Sequence, residues 1–199
     1  MKTSKTARYL LAAAVLVAAA GSAFALLHDT RPVARRAAAR PTLPPLSTGP
    51  RVLEARFAVL SRRHSNQCAL RPQSVASRTV HGRLQGACCT PMVYAHYVRQ
   101  VRGLVAYRAM PQIPRDPYDI PAGQARQLLA YNRRITLTPE QQALYRQATK
   151  LADEHGPCCC HCWRWTTFEG QAKYLITRRA YRARQIATVW DLEDGCGGT

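Results

Sequence analysis

Acidic residues are scarce in this chain of 199 residues, where 11 Asp and Glu stand against 29 Lys and Arg and leave a formal charge of +18. Those few acids show no paired spacing of the kind a hydrolase uses: Glu169, Asp191 and Glu193 stand apart in that sense. A Gly-rich phosphate loop, Gly-x-Ser-x-Gly and His-Glu-x-x-His are all missing. Haem attachment as Cys-x-x-Cys-His is excluded because Trp163 follows Cys162. Nothing in this inventory argues for an enzyme. Runs that alternate β-branched with polar residues are few, and no repeat of fixed period occurs, which argues against a sheet-rich or solenoid fold.

What is present begins with Lys2, Lys5 and Arg8, followed by an uncharged run of 19 residues from Tyr9 to Leu27. This pattern predicts membrane insertion with the basic end left in the cytoplasm and the rest exported. Residues 1–27 read either as a signal peptide, with Ala23-Phe24-Ala25 as the cleavage site, or as a retained signal anchor just long enough to span a bilayer. No cysteine follows the run until Cys68, so a lipid-anchored lipoprotein is not supported. Residues 28–50, rich in Pro, Ala and Arg without a hydrophobic period, read as a flexible tether.

Charge is segregated along the chain. From Arg31 to Arg108 there are 14 arginines and one acid, Glu54, whereas seven of the eleven acids lie at or after Glu140. Such a basic arm predicts contact with an anionic lipid surface, at about 1 kcal/mol per basic residue near the membrane. Solubility is the alternative use of the charge. Nucleic acid is not expected as a partner of an exported chain.

Residues 51–87 form a basic, partly irregular segment with one short helix, in which Val52, Leu53, Phe57 and Leu60 fall at helical spacing. In the stretch from Thr90 to Met110, Thr90 offers an N-cap and Pro91 a first helical residue, with Tyr94, Val98, Val101 and Val105 on one face. Further helices are predicted over 122–134, from the Thr138-Pro139 start, over 163–179 and over 182–195. Residues 88–199 are therefore expected to be a small irregular all-α domain of about five helices. Trp163, Trp165, Phe168 and Trp190 are expected to pack its core and to shield a site from water.

Eight cysteines remain to be explained, four of them within "GPCCCHCWRW". In an exported chain thiols tend to pair, so a structural domain stapled by disulfides is one reading. Adjacent cysteines hardly bridge each other, however, and bridges to four distant partners would crowd five residues. If the motif opens a helix with Pro157 in its first turn, Cys158, Cys159 and Cys162 share a face while Cys160 points away. Three thiolates on one face form a metal-ligand arrangement, and the helix N-terminus would ease their deprotonation. Cys88 and Cys89, with Met92 and His96 at i and i+4 on the next helix, add thiolate, thioether and imidazole, the ligand set of copper(I), with zinc as runner-up.

Pro157-Cys158-Cys159-Cys160-His161-Cys162 resembles the Pro-Cys-x-Cys-x-Cys frame of the PCYCGC-motif lipoproteins. These are exported bacterial proteins suspected of handling metal, and the resemblance extends over roughly residues 140–165. It implies a functional set of Cys158, Cys160 and Cys162 presented on a loop, with Cys159 in place of the family's tyrosine and His161 in place of its glycine. A redox reading also exists, because Cys159-Cys160-His161-Cys162 is a C-x-x-C, although the segment before it reads as a helix where a disulfide isomerase has a strand.

The expectation carried forward is a membrane-associated extracytoplasmic protein whose Cys158, Cys159, Cys160 and Cys162 join Cys88, Cys89 and Cys196 in a thiolate metal site. His161, His96 and Met92 are accessory candidates. Cys68 stands outside that site, so that Cys68→Ser leaves metal retention intact while Cys158→Ser with Cys162→Ser abolishes it.

Overall fold

Proline opens three of the seven helices among the described residues, where its fixed φ suits the first turn and its missing N–H costs nothing. The structure, a computed structural model, describes residues 42–198; the apolar run 9–27 and most of the tether lie outside them. In chain order the elements are α1 (Pro50–Leu60), α2 (Pro72–Ala76), β1 (Arg83–Gln85), α3 (Tyr94–Leu104), β2 (Asp119–Pro121), α4 (Ala122–Arg134), α5 (Pro139–Leu151), α6 (Trp163–Arg179) and α7 (Ala183–Glu193). The two strands pair antiparallel, with Leu84 opposite Ile120. The fold is thus mostly helical, as the sequence pattern predicts.

Helix α5 starts where expected: Thr138 accepts the Gln141 amide and Gln141 reaches back to the Thr138 amide, a complete capping box. Helix α3 does not. It begins at Tyr94, behind an extended Val93. Thr90 is held elsewhere, because its amide and hydroxyl both donate to the carbonyl of Cys196, at 2.7 and 3.0 Å.

The core centres on α4, α6 and α7. Gly170 lets α6 close onto α4, since a side chain there would run into the backbone of Leu128. Leu128, Phe168, Ala172, Leu175, Val189 and Trp190 are buried in this core. A second cluster of Leu53, Leu60, Met92, Tyr97, Val101 and Tyr118 packs α1 against α3. The basic segment 51–87 is therefore integrated into the fold, with Leu53, Leu60, Val75 and Leu84 fully buried.

Arg56, one of the arginines of the basic arm, is buried too. It donates to Asp116 and Asp119 at 2.9 Å, and Tyr97 donates to the same Asp116 oxygen. Arg83 and Gln85 donate to Asp119 from β1. This network fixes the chain around Tyr118, whose hydroxyl donates to the carbonyl of Gly197 and so anchors the segment that carries Cys196. A cavity of about 850 Å³ lies over it, lined by Leu43, Arg56, Met110, Arg115 and Asp119 among others, with no cysteine.

Candidate metal centre

The segment between α5 and α6 is irregular, and α6 begins only at Trp163 with Cys162 as its N-cap. This corrects the expectation of a helix opening at Pro157: Cys158, Cys159 and Cys162 do not form a helical face, and the loop alternative describes the motif. Gly156 permits the loop to close, because a side chain there would collide with the Trp165 indole.

Four separate pieces of chain bring the sulfurs together. The loop after α1 carries Cys68, the segment after β1 carries Cys88 and Cys89, the loop before α6 carries Cys158 to Cys162, and the segment after α7 carries Cys196. Each is pinned by the backbone or by a buried polar side chain. Asn66, fully buried, accepts the Trp163 indole N–H at 3.1 Å and donates to the Gly86 carbonyl at 2.8 Å, so one side chain ties together the flanks of Cys68, Cys88 and Cys162. The Cys88 amide donates to the carbonyl of Gly195 and the Cys89 amide to that of Cys196, which ties these two segments together.

The result is a continuous patch of eight thiols. Cys68, Cys88, Cys160 and Cys162 lie with all four sulfurs within 4.8 Å of one another, and Cys89, Cys159 and Cys196 do the same. Individual Sγ–Sγ distances are 3.9 Å for Cys88 to Cys162, 3.5 Å for Cys89 to Cys68, 3.6 Å for Cys89 to Cys159, 3.1 Å for Cys158 to Cys196 and 2.8 Å for Cys159 to Cys196. All eight cysteines are free thiols. A tetrahedral ion with metal–sulfur bonds of about 2.3 Å needs its sulfurs roughly 3.8 Å apart, and the first group has that scale. The arrangement is able to hold a metal ion.

Electrostatics divide the thiols. Cys162 is pulled far down, chiefly by its hydrogen bonds with the thiols of Cys158 and Cys88, and Cys196 is pulled down chiefly by its hydrogen bond with Cys158. Cys88 and Cys158 are pushed up, each chiefly by its hydrogen bond with Cys162. Burial pushes up Cys159 and Cys160, and raises Cys89 to about 12. Beneath the patch lies Arg164, fully buried, donating to the carbonyls of Pro117 and Glu193 and stacked 5.0 Å from the Phe168 ring centre. Its charge opposes the thiolates, and Gly195 packs so closely on its guanidinium that any side chain there would collide with it.

The accessory candidates fall elsewhere. Met92 precedes α3 and is buried in the core cluster with Leu53, Leu60 and Tyr97, so it does not share a helical face with His96. His161 is exposed and stacks on Trp165 at 4.0 Å between ring centres, outside the groups of converging sulfurs. His96 lines a cavity of about 310 Å³ with Asp153, Glu154, Asp191 and Asp194; burial lowers its pKa, and its Nδ1 has no partner. Trp163, Phe168 and Trp190 are core residues as expected, while Trp165 is half-buried over the loop.

Three residues of the site escaped sequence reasoning. Cys68, expected to stand apart, belongs to the four-sulfur group. Asp194 brings a carboxylate oxygen within 4.8 Å of Cys158 and Cys196, and Arg164 supplies the buried cation. The even cysteine count was the available signal for Cys68; for the other two, position next to Trp163 and Gly195 gave none.

No family model, curated protein or solved structure matches this chain. Among the described residues no helix is long and apolar enough to cross a membrane.

Proposed function

We propose that this is a cysteine-rich metal-handling protein that binds a soft ion, copper(I) in the first place and zinc in the second, through its thiolate patch on the extracytoplasmic side of a membrane. The observation that carries this reading is the convergence of all eight sulfurs from four chain segments, with four of them mutually within 4.8 Å. Adjacent cysteines cannot relieve the crowding by bridging each other, whereas a bound ion satisfies several thiolates at once. An all-sulfur shell, with Met92 and the histidines outside it, suits copper(I) and zinc and disfavours hard ions.

The basic start and apolar run of residues 1–27 support export and membrane association. Among the described residues of the 31–108 stretch, solvent-facing arginines such as Arg51, Arg62, Arg99 and Arg102 support contact with anionic lipid, with Arg56 withdrawn into its ion pairs and Arg83 engaged with Asp119. The Pro-Cys-x-Cys-x-Cys frame adds a resemblance of the same sense.

A second reading has one observation in its favour: Cys159 and Cys196 approach to 2.8 Å, and Cys196 is the more acidic thiol. A thiol–disulfide protein would use that pair rather than Cys159 with Cys162. Anaerobic purification of the full chain, followed by elemental analysis and a free-thiol count before and after chelation, separates the two. One or more ions per chain, with thiols that react only after chelation, is the expected result. Metal-free protein with a readily cycling Cys159–Cys196 bridge would replace metal handling by redox exchange.

A further inference from the structure

We infer that the eight cysteines hold two ions in adjoining four-sulfur sites, an inference that rests on the metal-binding reading above. A four-coordinate ion uses four thiolates. Cys68, Cys88, Cys160 and Cys162 make one complete set, and none of them recurs in the separate group of Cys89, Cys159 and Cys196. Cys158 is the remaining thiol; it is buried, lies 3.1 Å from Cys196 and groups with Cys159, and we assign it as the fourth ligand of the second set. The Asp194 carboxylate also reaches Cys158 and Cys196, but its Oδ1 accepts the Cys196 amide at 3.1 Å, which leaves the thiol as the better fourth ligand. No cysteine is left over.

The two sets adjoin at Cys89 and again where Cys158 hydrogen-bonds Cys162. Cys89 lies 3.5 Å from Cys68 and 3.9 Å from Cys160, both members of the other set. These separations are close to the sulfur–sulfur spacing of about 3.8 Å around a tetrahedral ion, so the two sites lie side by side at Cys89. This assigns a purpose to the paired cysteines. Cys88 serves one site and its neighbour Cys89 the other; Cys160 serves one and Cys159 the other. Neighbouring side chains that cannot bridge each other thus reach two neighbouring ions.

The test is a titration of the full-length, metal-free, fully reduced protein with zinc(II) alone, read by native mass spectrometry without oxygen. Two zinc ions per chain are expected at saturation. Cys68→Ser with Cys160→Ser is expected to retain one, and Cys158→Ser with Cys196→Ser is also expected to retain one. Saturation of the unsubstituted protein at a single ion would overturn the two-site inference and leave the metal-binding reading standing, whereas no zinc bound would overturn the two-site inference and zinc as an ion of this protein, leaving copper(I) to the elemental analysis above. Cadmium-113 magnetic resonance of the unsubstituted protein decides the point without depending on how the variants fold: two resonances are expected, and one alone sinks the inference.

Discussion

Cys68 sits 3.5 Å from Cys89 and within the same four-sulfur group as Cys162. Cys68→Ser is accordingly expected to lower metal retention as far as Cys162→Ser does, measured as ions per chain after gel filtration; full retention in Cys68→Ser would remove it from the site. Local sequence could not reveal this, because Cys68 lies in a polar, irregular stretch and owes its place to Asn66 and the backbone bond from its amide to Cys88. Met92 and His96 were misread for a related reason. Their i, i+4 relation has meaning only inside a helix, and α3 starts after Met92 because Thr90 is spent on Cys196. Arg164 was invisible as a site residue, since an arginine on a helix surface and one folded under a thiolate patch look alike in sequence. Its burial follows from flanking Trp163 and Phe168, which enclose it.

Helices whose start signals are local were legible, and those whose starts depend on distant chain were not. The capping box of α5 needs only Thr138 and Gln141; Thr138→Ala should cost about 1 kcal/mol of stability in a urea titration, with metal content unchanged. Helix α6 occupies the span 163–179 that the sequence pattern predicts, with Cys162 as its N-cap, whereas the start of α3 depends on the distant bond of Thr90 to Cys196. The β1–β2 ladder offers a pH handle. Burial alone would raise the Asp119 pKa, but the hydrogen bonds from Arg83, Gln85 and Arg56 outweigh it and bring the pKa below its usual 3.8. Its contribution is therefore complete above that value and is lost as pH falls through the lowered native one. Asp119→Asn should lose about 3 kcal/mol at neutral pH. It should also lose less than the parent protein on further acidification, and parallel stability–pH curves would contradict this.

The patch joins pieces of chain far apart in sequence, 74 residues between Cys88 and Cys162 and 70 between Cys89 and Cys159. An ion bound there would tie these distant segments together only in the folded chain and so would add its binding free energy to folding, on the order of 10 kcal/mol for structural zinc sites. Chelation is expected to lower the melting temperature: each kcal/mol lost at this chain length moves it by roughly 2–4 °C. Calorimetry of the same sample with and without chelator measures the shift, and an unchanged melting temperature would separate the ion from the fold. At this scale the all-α class was legible from helical periodicity and the clustering of Cys158 to Cys162 from their spacing, while the convergence of the other thiols on them depends on tertiary pairing that no local pattern encodes.

The patch is also lopsided. Cys158, Cys162 and Cys196 are buried above Arg164, while Cys89 and Cys159 face solvent. On the metal-handling reading, an incoming thiol would approach the ion from the outer side and displace ligands one at a time while the inner sulfurs kept hold. On the reading proposed here, the ion would be tightly held yet quickly handed over, because delivery to a recipient needs contact at that outer rim and no opening of the core.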